Sequence, residues 1–567
     1  MTASAGARWI AGSLLAALIL FVFLPTLGHG WAPIDDELNF VDNPDYRGFS
    51  IDHLRWMWTT RLAGHYIPLS WMTLAADFAW SGMDPWGYHL TNVVLHLANG
   101  LLFFGLAWRL LGKDSGVGAR VLAAFAAAAL FALHPLRVES VAWITERRDL
   151  LSGFFSLLTV HAYCSAVAGT SGHRTTWRLL ALLAFAAALL SKAIVVALPL
   201  ALVALDVRPL RRLEDDPRRW LAAPSRAVLL EKLPFFALSA ALAAVTLWAI
   251  APVRAATVGA GLEHRLLSAA FGLSFYLEKT LLPLAIPFQV PVTHLLSLSR
   301  DGLVALRGVL FLVLCAAPLG LWRRTPAVAL ALAVFAAFVL PVSGLFQAGP
   351  QLAAHRYTYL ATMPLALLLG AAGAVFARRA SRRWVAAAAV GVTTLGLVLA
   401  TRAQVGLWQD PVTFMRAAVR GAPDDWASVS GLARLHLERG ESGEALPVLR
   451  TGRERSPGAL MLLYLEAMVL ATSPDDGLRD GRQALVLASQ AARLTGLQDP
   501  AALLALAAAR AELGDTDEAR RILVGAEGLA RAGRKPAFLP LLQKAATQIE
   551  TLGRMRFDAD DWRKSAL

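Results

Sequence analysis

Three consecutive carboxylates, Asp35, Asp36 and Glu37, follow directly on the first long apolar segment of the chain. Adjacent like charges repel, and where such a site is partly desolvated at least one carboxyl is pushed upward in pKa, which suits a general base. Further along stand cations in or beside apolar runs. Arg147 and Arg148 sit in the loop 135–149 behind His134, Lys192 interrupts an otherwise continuous apolar run, and Arg356 opens another within His355-Arg356-Tyr357. An ionisable residue at membrane depth costs about 2.5–3.5 kcal/mol on insertion scales, so each of these calls for a functional reason. Cations at a membrane interface can hold a phosphate and stabilise the charge that develops on it as it leaves, while a carboxylate takes the proton of an attacking hydroxyl. Together the residues have the chemistry of group transfer from a phosphate-linked lipid. The plainer reading makes the carboxylates a solvated loop and the arginines interface anchors, with Arg147 or Arg148 paired to Asp149.

What must position these groups is set by composition. The 567 residues are 56% hydrophobic and only 17% charged, with a mean hydropathy of +0.52. Such a chain is too apolar to be soluble throughout and too long to be one domain, so it is a polytopic membrane protein with something attached. The net charge of +13 does not point to nucleic acid, because the cations come in short clusters between apolar runs. Cys164 and Cys315 both fall inside apolar runs and offer no disulfide framework.

The run 9–26 after Arg8 reads as a retained first span, since no small-x-small cleavage site precedes Gly28. The stretch 28–86 interleaves Trp56, Trp58, Tyr66, Trp71 and Trp80 with charges, as in an amphipathic helix lying in the membrane interface. Apolar spans then follow near 87–108, 121–134, 150–168, 179–190, 193–206, 233–250, 308–322, 326–342, 357–377 and 384–401, eleven in all with the first. The parity needs 179–206 to be a broken pair turning at Ser191-Lys192, and 267–290 not to cross. It places Arg208–Arg219 and Arg378–Arg383 inside, where cationic loops belong. Residues 251–307, with Pro283, Pro287 and Pro291, read as an external loop with an interfacial or re-entrant helix. Lipid leaves the backbone no partner but itself, so the fold class is all-α: a membrane helix bundle over 1–401, with external loops 28–86, 135–149, 251–307 and 343–356.

Past Thr401 the chain becomes charged and Ala/Leu-rich. After a linker at 402–425, residues 426–459 fit a 34-residue helix–turn–helix unit with Ala433, Gly440, Ala445, Leu449 and Pro457 at tetratricopeptide spacings. Residues 500–533 repeat it with Ala507, Gly514, Ala519, Leu523 and Ala526, and between them Ala467 and Ala484 mark a copy with about five inserted residues. The segment 426–567 is thus expected to be a helical solenoid whose concave face binds a peptide or protein partner.

Several ordered blocks resemble the transmembrane and tetratricopeptide-repeat O-mannosyltransferases, within the GT-C class of membrane glycosyltransferases. They are Asp35-Asp36 with Asn43-Pro44-Asp45; Tyr66-Ile67-Pro68-Leu69; Met83-Asp84-Pro85 leading to His89, Asn92 and His96; His134-Pro135 to Glu139-Ser140-Val141-Ala142 and Arg147-Arg148-Asp149-Leu150; Ser191-Lys192; and Arg356-Tyr357-Thr358-Tyr359-Leu360. The resemblance implies an inverting transfer of a sugar, mannose in the family, from a polyprenyl-phosphate donor to a hydroxyl acceptor, protein or glycan, on the extracytoplasmic face. It implies that Asp35 or Asp36, with Glu37 beside them, is the base, and that Arg147, Lys192 and Arg356 hold the donor phosphate, to which the reading of the residues themselves adds Arg148. His65, Tyr66, His89, Asn92, His134, Glu139, Asp149 and Tyr357 would line the site. Arg148 departs from the family by standing where a small residue is common, Ser191-Lys192-Ala193 lacks an acidic residue after the lysine, and the repeats number about three where animal members carry many. A bacterial-type member in the inner or plasma membrane, with its repeats extracytoplasmic, is the expectation.

His89 and His96 lie seven apart on one helical face, an arrangement commoner for intramembrane hydrogen bonds than for metal, so no metal and no other cofactor is expected beyond the lipid-linked donor. Two other classes compete: a non-catalytic scaffold whose repeats recruit partners, for which eleven spans and charges on one face are superfluous, and a surface-polysaccharide polymerase or ligase, whose key cations belong in a large late loop.

Overall fold

A computed structural model describes the chain from residue 2 onward, apart from residues 112–115, 170, 256–261, 284–288, 292–302, 344, 346–350, 379, 534, 536–537 and 565–567. The chain forms two compact units, Met1–Asp410 and Pro411–Leu567.

The first unit is a helix bundle. Its helices are α1 (Thr2–Phe23), α2 (Ile51–Thr59), α3 (Pro68–Ser81), α4 (Pro85–Leu110), α5 (Val117–Ala132), α6 (Val138–Ala142), α7 (Arg147–Ala168), α8 (Ser171–Ser191), α9 (Leu198–Val207), α10 (Ser225–Leu230), α11 (Leu233–Ala255), α12 (Leu262–Leu281), α13 (Leu303–Leu321), α14 (Pro326–Val339), α15 (Thr358–Ala361), α16 (Met363–Phe376) and α17 (Ala380–Gly406). A short antiparallel pair, β1 (Gln289–Pro291) with β2 (Gln351–Ala354), joins two loops. At the centre, α4 packs on α1, α5 and α7; α8 lies along α7, and α16 along α5. The buried face of α5 is mostly alanine, Ala119, Ala123, Ala124, Ala127 and Ala128 among them. Small residues let helices approach closely where lipid offers no hydrophobic drive. Gly370 of α16 depends on this: a Cβ there would lie 2.7 Å from the carbonyl oxygen of Ala123.

Among the described residues, six helices are long and apolar enough to cross a membrane, rising to eight if the bent pairs 117–142 and 355–376 each count as one span. The other three of the eleven expected spans fall on shorter apolar helices, 193–207, 306–321 and 326–342. Fifteen helical residues reach about 22 Å against a hydrocarbon core of about 30 Å, which is why length alone does not pass them. The break at Lys192 is present: α8 ends at Ser191, Lys192 is extended, and a 3-10 turn leads into α9. In 251–307 the described parts are the end of α11, α12 with residues 282–283 after it, β1, and the start of α13; Pro287 lies outside the described residues.

The stretch 28–86 departs from expectation. It is not one interfacial helix but α2, α3 and turns folded over a small core of Phe40, Tyr46, Met57, Ile67, Trp71, Leu74, Tyr88 and Ile144. Trp71 is buried and Trp56 packs edge-on against it, whereas Trp58 and Trp80 remain exposed. Aromatic–polar interleaving looks the same in sequence whether the rings face lipid headgroups or one another.

The second unit contains α18 (Pro411–Gly421), α19 (Trp426–Glu438), α20 (Ser442–Arg455), α21 (Leu460–Thr472), α22 (Gly481–Leu494), α23 (Pro500–Glu512), α24 (Thr516–Arg531), α25 (Leu539–Leu552) and α26 (Ala559–Lys564). Successive helices pack on one another as a solenoid requires. Gly440 and Gly514 turn α19 into α20 and α23 into α24 with φ of +77° and +86°, a left-handed conformation that glycine adopts without strain. Ala433, Ala445, Ala507 and Ala519 are fully buried between the paired helices, and Ala467 and Ala484 are likewise buried in the middle pair. The inserted residues of that pair form the connection 473–480, against 439–441 and 513–515 in the others. One feature was not foreseen. After α25 the chain turns back, so that the Phe557 amide bonds to Thr472 O (3.0 Å), Arg556 to Glu512 (2.8 Å) and Arg563 to Glu438 O (3.1 Å). Residues 553–564 therefore cross α19, α21 and α23, the first helices of the three pairs.

Candidate active site

Asp36 owes its position to the loop that follows α1. Asp35 has φ of +50°, a left-handed turn that sends neighbouring side chains apart: Asp35 and Glu37 are exposed while Asp36 is fully buried. Its Oδ2 accepts from the Ala32 amide (2.8 Å), and its Oδ1 from the Thr145 hydroxyl (2.6 Å) and amide (3.2 Å). Burial pushes its pKa up to about 7 against the pull of these three bonds, and the charge of Asp35 adds slightly. Of the three carboxylates, Asp36 alone is buried.

Thr145 leads straight to the cations. It lies in a 3-10 turn, Ile144–Glu146, and the Glu146 carboxylate beside it gathers three of them. Arg148 reaches it at 2.5 and 3.2 Å, Lys192 at 2.7 Å, and the Arg356 Nε at 3.3 Å. Lys192 also holds Asp149 at 2.7 Å, while Glu139 pairs with the Arg356 guanidinium and accepts from its amide at 2.8 Å. The Arg356 guanidinium lies over the rings of Tyr357 and Trp143, at 4.9 and 5.3 Å. The Trp143 indole donates to Ile34 O (3.2 Å), and Asn39 donates to Thr145 (3.0 Å), tying the carboxylate loop to the same segment. His65 is exposed and lies near enough to Arg148, Glu146, Lys192 and Arg356 to feel their charges. Tyr66 beside it is half-buried.

Other expected site residues have partners away from the Glu146 cluster. Arg147 is not among the cations that Glu146 gathers: fully buried, it pairs with Asp77 at 2.6 Å and bonds Asn92 and Tyr88 O. A helical step of about 100° per residue separates it from Arg148. Asn92 donates to Val141 O (3.1 Å) and so clamps the end of α6. His89 meets Gly30 O and the His29 ring, and burial lowers the pKa of His29 to about 4. His134 caps the turn that follows it, accepting from the Leu136 amide, and reaches Thr280 O. His96 bridges Tyr359 and Ala132 O. The histidines thus have separate partners, and among the described residues no group of three or more His, Cys, Asp or Glu stands where it could hold a metal ion.

Sequence reasoning passed over Thr145, Glu146 and Asp77. The run Thr145-Glu146-Arg147-Arg148 carried a signal for Glu146, a carboxylate among cations in a loop short enough to bring them together. Nothing marked Asp77 apart from other charges in 28–86.

Each of the three gathered cations stands at the head of an element that lines an apolar cavity of about 230 Å³. Beyond Arg148, α7 contributes Ser156, Leu157 and Val160; beyond Lys192, α9 contributes Leu198 and Ala201; beyond Arg356, α15 and α16 contribute Leu360 and Met363.

No family model matches the chain, and no solved structure matches it. Curated relatives do. The chain is 35% identical over 166 residues to protein O-mannosyl-transferase tmtc2 of Xenopus laevis, 27% of this chain and 18% of that one. It is 32% identical over 179 residues to TMTC4 of Homo sapiens, 28% of this chain and 24% of that one, and 35% identical over 156 residues to Tmtc1 of Drosophila melanogaster, 26% and 17%. The matched stretch spans about a fifth of the length of these relatives. Over roughly a quarter of its residues, this polytopic membrane chain is similar to the TMTC protein O-mannosyl-transferases.

Proposed function

We propose that the chain is a membrane glycosyltransferase that moves a sugar, mannose by analogy with its relatives' names, from a polyprenyl-phosphate donor to a protein hydroxyl on the extracytoplasmic face. The observation that carries this reading is the adjacency built by Thr145 and Glu146: a buried carboxyl with a pKa near 7 is held one residue from the carboxylate that gathers three cations. Asp36 takes the proton of the acceptor hydroxyl as its oxygen attacks the anomeric carbon. The bond from that carbon to the phosphate oxygen breaks on the opposite face, which inverts the configuration. Arg148, Lys192 and Arg356 bind the phosphate and take up the charge it gains on leaving, exchanging part of their contact with Glu146, Glu139 and Asp149 for it. The apolar cavity lined by the helices that follow these cations in the chain is the place proposed for the isoprenoid tail.

In this reading residues 402–425 link the bundle to repeats on the same face, and the repeats present acceptors. Membranes containing the chain, given a polyprenyl-phosphate-linked labelled sugar, should pass label to serine or threonine of added protein, read by mass spectrometry of the acceptor. Label that appears equally in membranes lacking the chain contradicts the proposal.

A further inference from the structure

Arg137 is the charged residue that the site as described leaves over. It ends the 3-10 turn Pro135–Arg137 and is fully buried. Its Nη2 donates to the Thr358 hydroxyl at 2.7 Å, and that hydroxyl donates in turn to His355 O, one residue before Arg356. Its Nε and Nη1 have no hydrogen-bond partner, and it forms no ion pair among the described residues. The guanidinium lies 5.3 Å from the Tyr359 ring and 5.7 Å from Phe131, and Asp149 is the carboxylate whose charge it feels. A fixed cation taken out of water with no counter-ion is costly, and hydrogen bonds and ring faces offset only part of that cost.

The charges nearby give it a use. Asp36, Glu139, Glu146 and Asp149 are four buried carboxyls, and Arg148, Lys192 and Arg356 are three cations. Without Arg137 the ionised site would be net negative and would repel an anionic donor. With Arg137 it balances, and it becomes net positive whenever Asp36 is protonated.

We propose that Arg137 is the charge-balancing residue of the donor site, a positioning residue that acts through space on a lipid phosphate held by Arg148, Lys192 and Arg356. The inference rests on the donor reading above. Being walled off behind Thr358 and Tyr359, Arg137 strengthens phosphate binding without touching it, balancing the carboxyls of the site through space while two of its nitrogens stay unbonded.

The test uses the full chain in detergent or nanodiscs, with polyprenyl monophosphate as probe and the uncharged polyprenol as control. Arg137→Met should still fold, since the guanidinium it removes has no direct ion-pair partner among the described residues and two unbonded nitrogens, yet bind polyprenyl monophosphate roughly ten- to a hundredfold more weakly, with polyprenol binding unchanged. Arg137→Lys, which keeps the charge and loses the planar fork, should restore affinity to within a few-fold of the parent, and it decides the matter should Arg137→Met not fold. Equal phosphate affinity in parent and Arg137→Met, or loss in Arg137→Lys as deep as in Arg137→Met, overturns the assignment while leaving the donor reading intact. A parent protein that does not distinguish polyprenyl monophosphate from polyprenol overturns both.

Discussion

Asp36 shows how much one residue's surroundings decide. In sequence it is the middle of three equivalent carboxylates; in the fold it is buried and bonded to Thr145, and its pKa of about 7 makes it a base that is half-ionised at neutral pH. A base works when deprotonated, so transfer should climb as pH rises through about 7 and fall below it. Thr145→Val removes a bond that favours the ionised form, so the midpoint of that profile should move upward, as a pH–rate series would show. The same shift bears on stability. The folded state holds a proton on Asp36 up to about pH 7 while the unfolded chain releases it near pH 4, so this group's contribution to folding is full below pH 4 and declines as pH rises to 7. Asp36→Asn should accordingly be no less stable than the parent at pH 8, which thermal unfolding can check. Residue types alone were enough to raise the proposed chemistry, a carboxylate base and cations for a phosphate. The sequence could not say which carboxylate is buried, since that depends on a left-handed turn at Asp35, nor could it separate Arg147 from Arg148, which point to different partners from consecutive positions.

Elements carry the next level. Long apolar helices were readable because lipid permits nothing else, and the interruption at Lys192 was readable because a charge there would otherwise sit in mid-membrane. The segment 134–146 was not, since it is built of 3-10 turns and the five-residue α6, too short for any period to register. What holds that segment is side-chain bonding from other elements: Asn92 to Val141 O, Arg147 to Asp77, and Glu139 to Arg356. Breaking one of these should differ from breaking the cation cluster. Asp77→Ala leaves the Arg147 guanidinium buried and unpaired, which costs about 3–5 kcal/mol, so its unfolding temperature should drop well below the parent's. Lys192→Ala takes a cation from the buried Glu146 and Asp149 and should lower the unfolding temperature as well, but of the two changes it alone should also weaken donor affinity and turnover directly.

At the scale of the whole molecule, the charge pattern that gave eleven spans also commits the two sides of the membrane. With 1–8 and 207–232 inside, reporter fusions at Asp215 and Gly421 should report opposite sides, and a common side would break the parity. The repeats were legible because a 34-residue period is long and regular, whereas the return of residues 553–564 across α19, α21 and α23 was not, since a segment with no period of its own leaves no trace of where it docks. That segment covers the C-terminal ends of those three helices, where Phe557 and Trp562 are buried. Deleting 426–567 should spare binding of polyprenyl monophosphate and weaken transfer to folded protein acceptors more than to short peptides; equal loss with both would mean that the repeats hold up the bundle instead. The central claim, that Asp36 is the base beside a phosphate-holding cluster, is tested most directly by turnover of Asp36→Asn with a polyprenyl-phosphate sugar in membranes matched for folded protein and for donor affinity. The account predicts a fall of roughly 10² to 10⁴ in turnover with donor affinity unchanged; transfer at the parent rate would contradict it.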